Sequence, residues 1–201
     1  MATVTAPAAE VPPAPEAGRR RWHERIPLWA SVGLFLLVIT GLSAYLRTRY
    51  LSGQFWIDEA ITTGIASHPL SAIPGILRHD GSPPLFYVLL HFWIRAFGAG
   101  EAATHTLSLL FGLLTIPVGM WVGWSLFGRR AGVVAAILFA SNAWLTQYAQ
   151  ETRMYELMAL LGLIATAAFI HAFVRRRRGY LIVFAVTLAL MLYTHVWGVF
   201  F

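Results

Sequence analysis

The chain has 201 residues, of which 58% are hydrophobic and 12% charged, and it carries a formal net charge of +6. That much apolar surface cannot be folded beneath a polar shell, which excludes an ordinary soluble domain and points to an integral membrane protein. Cysteine is absent, so disulfides and thiol chemistry are excluded and a metal would have to use oxygen and imidazole donors, while every basic residue is an arginine, clustered near the ends of apolar stretches. Such clustering sets orientation in a bilayer and gives no reason to expect a nucleic-acid partner.

Residues 1–25 are dominated by Ala, Pro, Glu and Val before Arg19, Arg20, Arg21 and Arg25. They hold no apolar run to offset the entropy of ordering and are expected to form a disordered cytoplasmic tail. The apolar stretch 28–46 that follows is too long for a signal-peptide core and lacks a small-residue cleavage site, so it reads as an uncleaved anchor with its N-terminus in the cytoplasm. Four further stretches, 106–127, 131–148, 154–174 and 179–201, are near the length of about 20 residues that a bilayer asks of a helix. Residues 84–97 contain His91 and Arg95 and fall in the shorter class of interfacial or re-entrant segments.

The arginines decide whether 84–97 crosses. If it does not, ten arginines (19, 20, 21, 25, 129, 130 and 175–178) face the cytoplasm and five face outward; if it does, the balance is six against nine. The positive-inside rule selects the first arrangement. Asp58, Glu59, Asp80, Glu101, Glu151 and Arg153 then share the external side, in loops about 90 residues apart. Acidic residues hardly influence orientation, so their convergence is independent information.

Asp58-Glu59 opens the first of those loops, beside Phe55 and Trp56 at the level where aromatic rings favour the headgroups. Ile61, Ile65 and Ala66, then Ile73, Ile76 and Leu77, recur at helical spacing with polar residues between, and Pro69 and Pro74 break the run into short amphipathic pieces. Pro83-Pro84 fixes two φ angles after His79-Asp80, so that turn can aim either side chain toward the pocket of Asp58. The second external loop, 147–156, is dense in hydrogen-bonding groups. In it Arg153 either pairs with Glu156 three residues on or grips phosphate with its planar fork. His195 falls near the outer edge of the last stretch, where it either bonds a neighbouring helix or contacts a ligand.

The order of these parts, with SPPLFYVLLHFW, LSLLFGLLTIPVG, FGRRAGVVAAILFA, QYAQETRMYELMALL and YTHVWG, resembles the N-terminal part of the GT-C glycosyltransferases, most closely their protein O-mannosyltransferase and aminoarabinose transferase branch. The resemblance extends over nearly all of residues 28–201. It implies an all-α, multi-pass transmembrane helix bundle in the plasma membrane, with a long external first loop containing amphipathic interfacial helices. It also implies inverting transfer of a sugar from a polyprenyl-phosphate donor to a hydroxyl acceptor at the external face. In that family the acidic residue of the first loop is the catalytic carboxylate, which falls here on Asp58, with Glu59 beside it. Arg153 would hold the leaving phosphate and Glu151 would orient it or the substrate, while His79, Asp80, Tyr155, His105 and His195 complete the candidate substrate contacts.

Chemistry supports those roles, since a base must take the acceptor's proton while charge develops on the leaving phosphate. No cofactor is required; a divalent cation, used by some relatives, would have Asp58 and Glu151 to sit on. Relatives often carry arginine where His105 stands, and a chain ending inside an apolar stretch is expected to be a fragment of a longer enzyme. Two alternatives remain: a transporter or flippase-like carrier, expected to line several spans with polar groups through their full depth, and a scaffold without ligand, in which Asp58 would be replaceable.

Overall fold

The computed structural model of the chain describes residues 27–200, and the expected tail, residues 1–25, lies outside them. The described residues are mostly helical, with no strand among them: α1 (Leu28–Arg47), α2 (Ile57–Ser67), α3 (Ile73–Asp80), α4 (Leu85–Phe97), α5 (Glu101–Phe127), α6 (Arg129–Ser141), α7 (Ala143–Tyr148), α8 (Tyr155–Phe169) and α9 (Tyr180–Thr194). A π turn, Ile170–Val174, extends α8, and a 3₁₀ turn, Val196–Phe200, follows α9. Three helical segments are long and apolar enough to cross a membrane: Leu28–Arg47, Glu101–Phe127 and Tyr155–Val174. At 1.5 Å per residue, α4 and α9 reach only about 20 Å, short of a hydrocarbon core of about 30 Å.

The stretch 131–148 is two helices. Asn142 takes an extended ψ of 123°, ends α6, and caps α7 by accepting the Leu145 N–H at 3.1 Å. The last carbonyls of α6 are thereby left without helical partners, and α1 supplies them. Ser43 Oγ donates to Ala140 O at 2.9 Å and Arg47 Nη2 to Phe139 O at 2.8 Å. Ser43 and Arg47 are the only buried residues of α1, so this capping is its main polar attachment to the bundle.

Cationic or imidazole caps recur at other helix ends, where the macrodipole favours positive charge. Arg175 donates to the Ser125 and Leu126 carbonyls at the end of α5. His91 Nδ1 donates to Ala66 O, in the last turn of α2, at 2.8 Å. Arg175, read from sequence only as an orienting charge, is therefore also a capping residue.

α5 and α6 form a tight antiparallel pair. A Cβ on Gly123 would stand 2.8 Å from Ala131 O, and one on Gly132 only 2.7 Å from Met120 O, so close backbone approach needs glycine at both places. Pro117 interrupts α5 and borders an apolar groove of about 350 Å³ between α5 and α1, beside Val32, Leu36 and Trp121.

The main core joins α2, α4, α5, α8 and α9 through Ala66, Phe86, Leu90, Leu107, Leu157, Leu161 and Met191. Both apolar repeats of the 47–103 segment do form helices, α2 and α3. Ile65, Ile73 and Leu77 are buried with Tyr87 of α4, so a good part of the amphipathic spacing serves packing within the protein.

Candidate functional site

The site is built around the first turn of α2. Trp56 is the N-cap, and its N–H donates to Glu59 Oε2 at 3.2 Å, satisfying one of the helix's free amides. Asp58 and Glu59 are consecutive helical residues, so their side chains leave the axis about 100° apart. One carboxylate goes inward and the other stays at the surface.

Glu59 is the inward one, 2% exposed. Its Oε1 accepts from His105 Nε2 at 2.8 Å and from the Thr152 N–H at 2.6 Å. His105, on α5, also donates from Nδ1 to Leu51 O at 2.7 Å, so with Glu59 ionised both ring nitrogens donate and the ring is an imidazolium. This single pair ties four parts of the chain: the 48–56 segment, α2, α5 and the 149–154 segment. Burial by itself would raise the Glu59 pKa. The hydrogen bonds from His105, Thr152 and Trp56, together with the His105 charge, outweigh it and hold the carboxyl below the usual glutamate range.

Asp58 faces the other way and is half-exposed, with Arg153 Nη2 3.7 Å from its Oδ2. Arg153 is fixed by further contacts: Nη1 donates to Thr62 Oγ1 at 3.1 Å and to Asp58 O at 3.4 Å, and the guanidinium lies 5.6 Å from the Tyr155 ring centroid. Ser108 Oγ donates to the Arg153 carbonyl at 3.0 Å. Arg153 Nε is buried without a partner among the described residues. Tyr155 in turn lies 6.0 Å from the His195 ring. Asp58, Arg153, Tyr155 and His195 thus form one group, drawn from the start of α2, the start of α8 and the end of α9.

Glu59, His105 and Glu151 lie on the opposite side of that turn, where they line a cleft of about 650 Å³ together with Tyr50, Gln54 and Gln147. Glu151 accepts a long hydrogen bond from Gln147 Nε2 at 3.4 Å, while its Oε2 has no partner. Burial raises its pKa above the usual glutamate range. The Gln147 bond and the charges of Arg153 and His105 pull it down, and the nearby Glu59 charge pushes it further up.

His79 and Asp80 stand apart from both groups. They are exposed at the end of α3, where the His79 ring bonds Gly75 O at 3.0 Å, and neither has a hydrogen bond or ion pair to Asp58, Glu59 or Arg153. Among the described residues no three His, Cys, Asp or Glu side chains converge as a metal site. A cation on Asp58 or Glu151 would therefore take its remaining ligands from substrate and water.

Arg47, which sequence reasoning passed over, and Glu156, expected there as a partner of Arg153, belong to the same end of the bundle. Arg47 and Glu156 are both 0% exposed, and Arg47 Nη1 and Glu156 Oε2 lie 2.6 and 2.9 Å from where a Cβ on Gly112 would be. They make no direct ion pair; Arg47 Nη1 and Nε and both Glu156 oxygens have no partner among the described residues. Glu156 therefore faces Gly112 and Arg47, and not Arg153 three residues before it. Arg153 precedes the first turn of α8, so the helical spacing that would pair the two does not apply.

No family model, curated protein or solved structure matches this chain.

Proposed function

We propose that the chain carries the sugar-transfer site of a GT-C-type membrane glycosyltransferase, working at the external face on a polyprenyl-phosphate sugar. The observation that carries this reading is the pairing of a half-exposed carboxylate, Asp58, with a fixed guanidinium, Arg153, 3.7 Å away across 95 residues of chain. In this reading Asp58 removes the proton of the acceptor hydroxyl as its oxygen bonds to the anomeric carbon. The bond from that carbon to the phosphate oxygen breaks, with inversion, and Arg153 receives the charge that develops on the leaving phosphate.

The two adjacent carboxylates divide the work. Asp58 has one long ionic contact among the described residues and leaves its carboxylate open to an acceptor hydroxyl, whereas Glu59 is committed to three hydrogen bonds that shape the turn. Tyr155 and His195 border the phosphate side. His105, standing where relatives often place arginine, acts through Glu59.

The test is transfer of labelled sugar from a polyprenyl-phosphate donor in membranes carrying the complete gene product. Asp58→Asn is expected to lose about a hundredfold or more at matched abundance, as removal of a base does. Arg153→Lys, which keeps the charge and loses the planar fork, is expected to fall by a smaller but clear margin. Wild-type transfer with an unimpaired Asp58→Asn variant would refute the assignment.

A carrier of lipid-linked or polar solutes is the second reading. It is favoured by one observation, the fully buried ionisable side chains Arg47 and Glu156 at the ends of two apolar helices. A complete absence of transfer with every donor, accompanied by solute flux in vesicles, would bring it forward.

A further inference from the structure

We infer that the cleft on the Glu59 side of α2 is an acceptor subsite and that its ligand is a neutral, polyhydroxylated molecule, a glycan, seated between Gln54, Gln147 and Glu151. The purpose given to this cleft rests on the sugar-transfer reading; the identity of the ligand rests on the lining.

The cleft is separate from the group that would hold phosphate. Asp58 and Arg153 are not part of its lining, and among the described residues no arginine is; there the one cationic group is His105, whose two ring nitrogens are already committed to Glu59 and Leu51. A phosphorylated ligand would find no free cation there. Half of the lining residues carry an uncharged amide or hydroxyl: Tyr50, Gln54, Ser141, Thr146, Gln147 and Gln150. Each amide presents two donors and an acceptor, which suits hydroxyls that donate and accept from one oxygen.

The wall is built to stay in place. Gln150 accepts the Tyr50 N–H at 3.0 Å and donates to Thr146 O at 2.8 Å, fixing the 48–56 segment against α7. With Gln150 so occupied, the uncommitted groups are those that face the opening. Gln54 is exposed and makes no hydrogen bond among the described residues. Among the described residues the Gln147 side-chain Oε1 has no partner, and Glu151 Oε2 is a buried acceptor without a donor. A hydroxyl group supplies what Glu151 Oε2 lacks. Tyr50, 74% exposed at the rim, adds an aromatic face of the kind on which sugar C–H groups pack.

A volume of about 650 Å³ lies within the range of small-ligand pockets and accommodates two or three hexose units. The cleft and the Asp58–Arg153 pair flank the first turn of α2, so the body of the acceptor would rest in the cleft while its reacting hydroxyl extends past the turn to Asp58, beside the donor phosphate on Arg153.

The test measures binding directly, by saturation-transfer NMR on the complete protein in nanodiscs, with a neutral hexose trisaccharide and a serine-rich hexapeptide as probes. The trisaccharide is expected to bind and the hexapeptide not. Gln147→Leu and Glu151→Leu should each weaken the trisaccharide about tenfold, the effect of losing roughly one hydrogen bond. Gln54→Leu, on an exposed loop where folding is not at issue, should weaken it severalfold.

Preference for the peptide, absence of any trisaccharide signal, or binding unchanged by all three cleft substitutions would overturn the inference. Cleft-dependent trisaccharide binding by a protein that transfers from no donor would leave the subsite standing and remove the transferase reading. Transfer to peptides, untouched by the cleft substitutions, would do the reverse.

Discussion

Gly112→Ala tests the contact of three helices around the buried Arg47 and Glu156. Alanine at a helical glycine ordinarily gains up to about 1 kcal/mol, because glycine loses more conformational freedom on folding. At Gly41 on α1 nothing lies within 4 Å of an added Cβ, so that gain is expected in full. At Gly112 the same methyl would stand 2.6 Å from Arg47 Nη1, 2.9 Å from Glu156 Oε2 and 3.0 Å from Glu156 Cδ. Neither side chain is a free end: both are 0% exposed, and Arg47 Nη2 is held on Phe139 O at 2.8 Å. Forcing a methyl into a filled site costs about 1–3 kcal/mol, because the Arg47 and Glu156 head groups would have to be displaced within a packed interior. Gly41→Ala should therefore exceed Gly112→Ala in stability by about 2–4 kcal/mol. Denaturant titration of the purified protein in one detergent, followed by tryptophan fluorescence, reads the difference. Equal midpoints, or a Gly112→Ala protein as stable as Gly41→Ala, would show that Arg47 and Glu156 do not press against Gly112.

Three further outcomes follow from the same geometry. Glu59→Gln should destabilise by about 2–4 kcal/mol, since it breaks a buried, hydrogen-bonded charge pair, whereas Asp58→Asn should cost under about 1 kcal/mol at its half-exposed site; melting of the two variants compares them. Because the Glu59 carboxyl sits below the usual glutamate range, the stability it contributes is complete above the ordinary pKa of about 4.3 and is lost as pH falls through its lower folded value. Wild type should show that acid limb and Glu59→Gln should not. Arg129→Cys introduces the only thiol in a cysteine-free chain and is expected to resist an impermeant external reagent in intact cells; labelling there would reverse the proposed orientation.

Legibility in the sequence followed the range of the interactions concerned. Helix type and the broad class came from apolar runs and 3.6-residue spacing, both local. The gathering of Asp58 with Arg153 was legible because arginine distribution alone places their loops on one side. Three features were hidden for physical reasons. The division of 131–148 turns on one Asn in an otherwise apolar run, and its end is tolerable only because Ser43 and Arg47, about 95 residues away, supply donors to the freed carbonyls. Arg47 sat at a span end, where an arginine needs no partner to be explained, so nothing local marked it as buried. The His105–Glu59 bond joins residues 46 apart through a geometry that no spacing encodes. A sequence signal did exist for it: an ionisable residue at the very start of an apolar stretch, together with a carboxylate assigned to the same side.

The difference between Asp58 and Glu59 is conformational before it is chemical. On a helix neighbouring residues cannot share an environment, so a pair of adjacent carboxylates at the start of α2 must split between two sides of the turn. The longer side chain, Glu59, reaches back to the Trp56 N–H and across to His105 and Thr152, as an N3 glutamate can. Aspartate at that position would fall a methylene short of those partners, and glutamate at position 58 would carry its carboxylate away from the Arg153 contact. Exchanging the two residues keeps composition and charge unchanged while misplacing both groups. The double variant Asp58→Glu/Glu59→Asp is therefore expected to lose more stability than Asp58→Glu alone, because only the exchange at position 59 removes the bonds that hold the turn together.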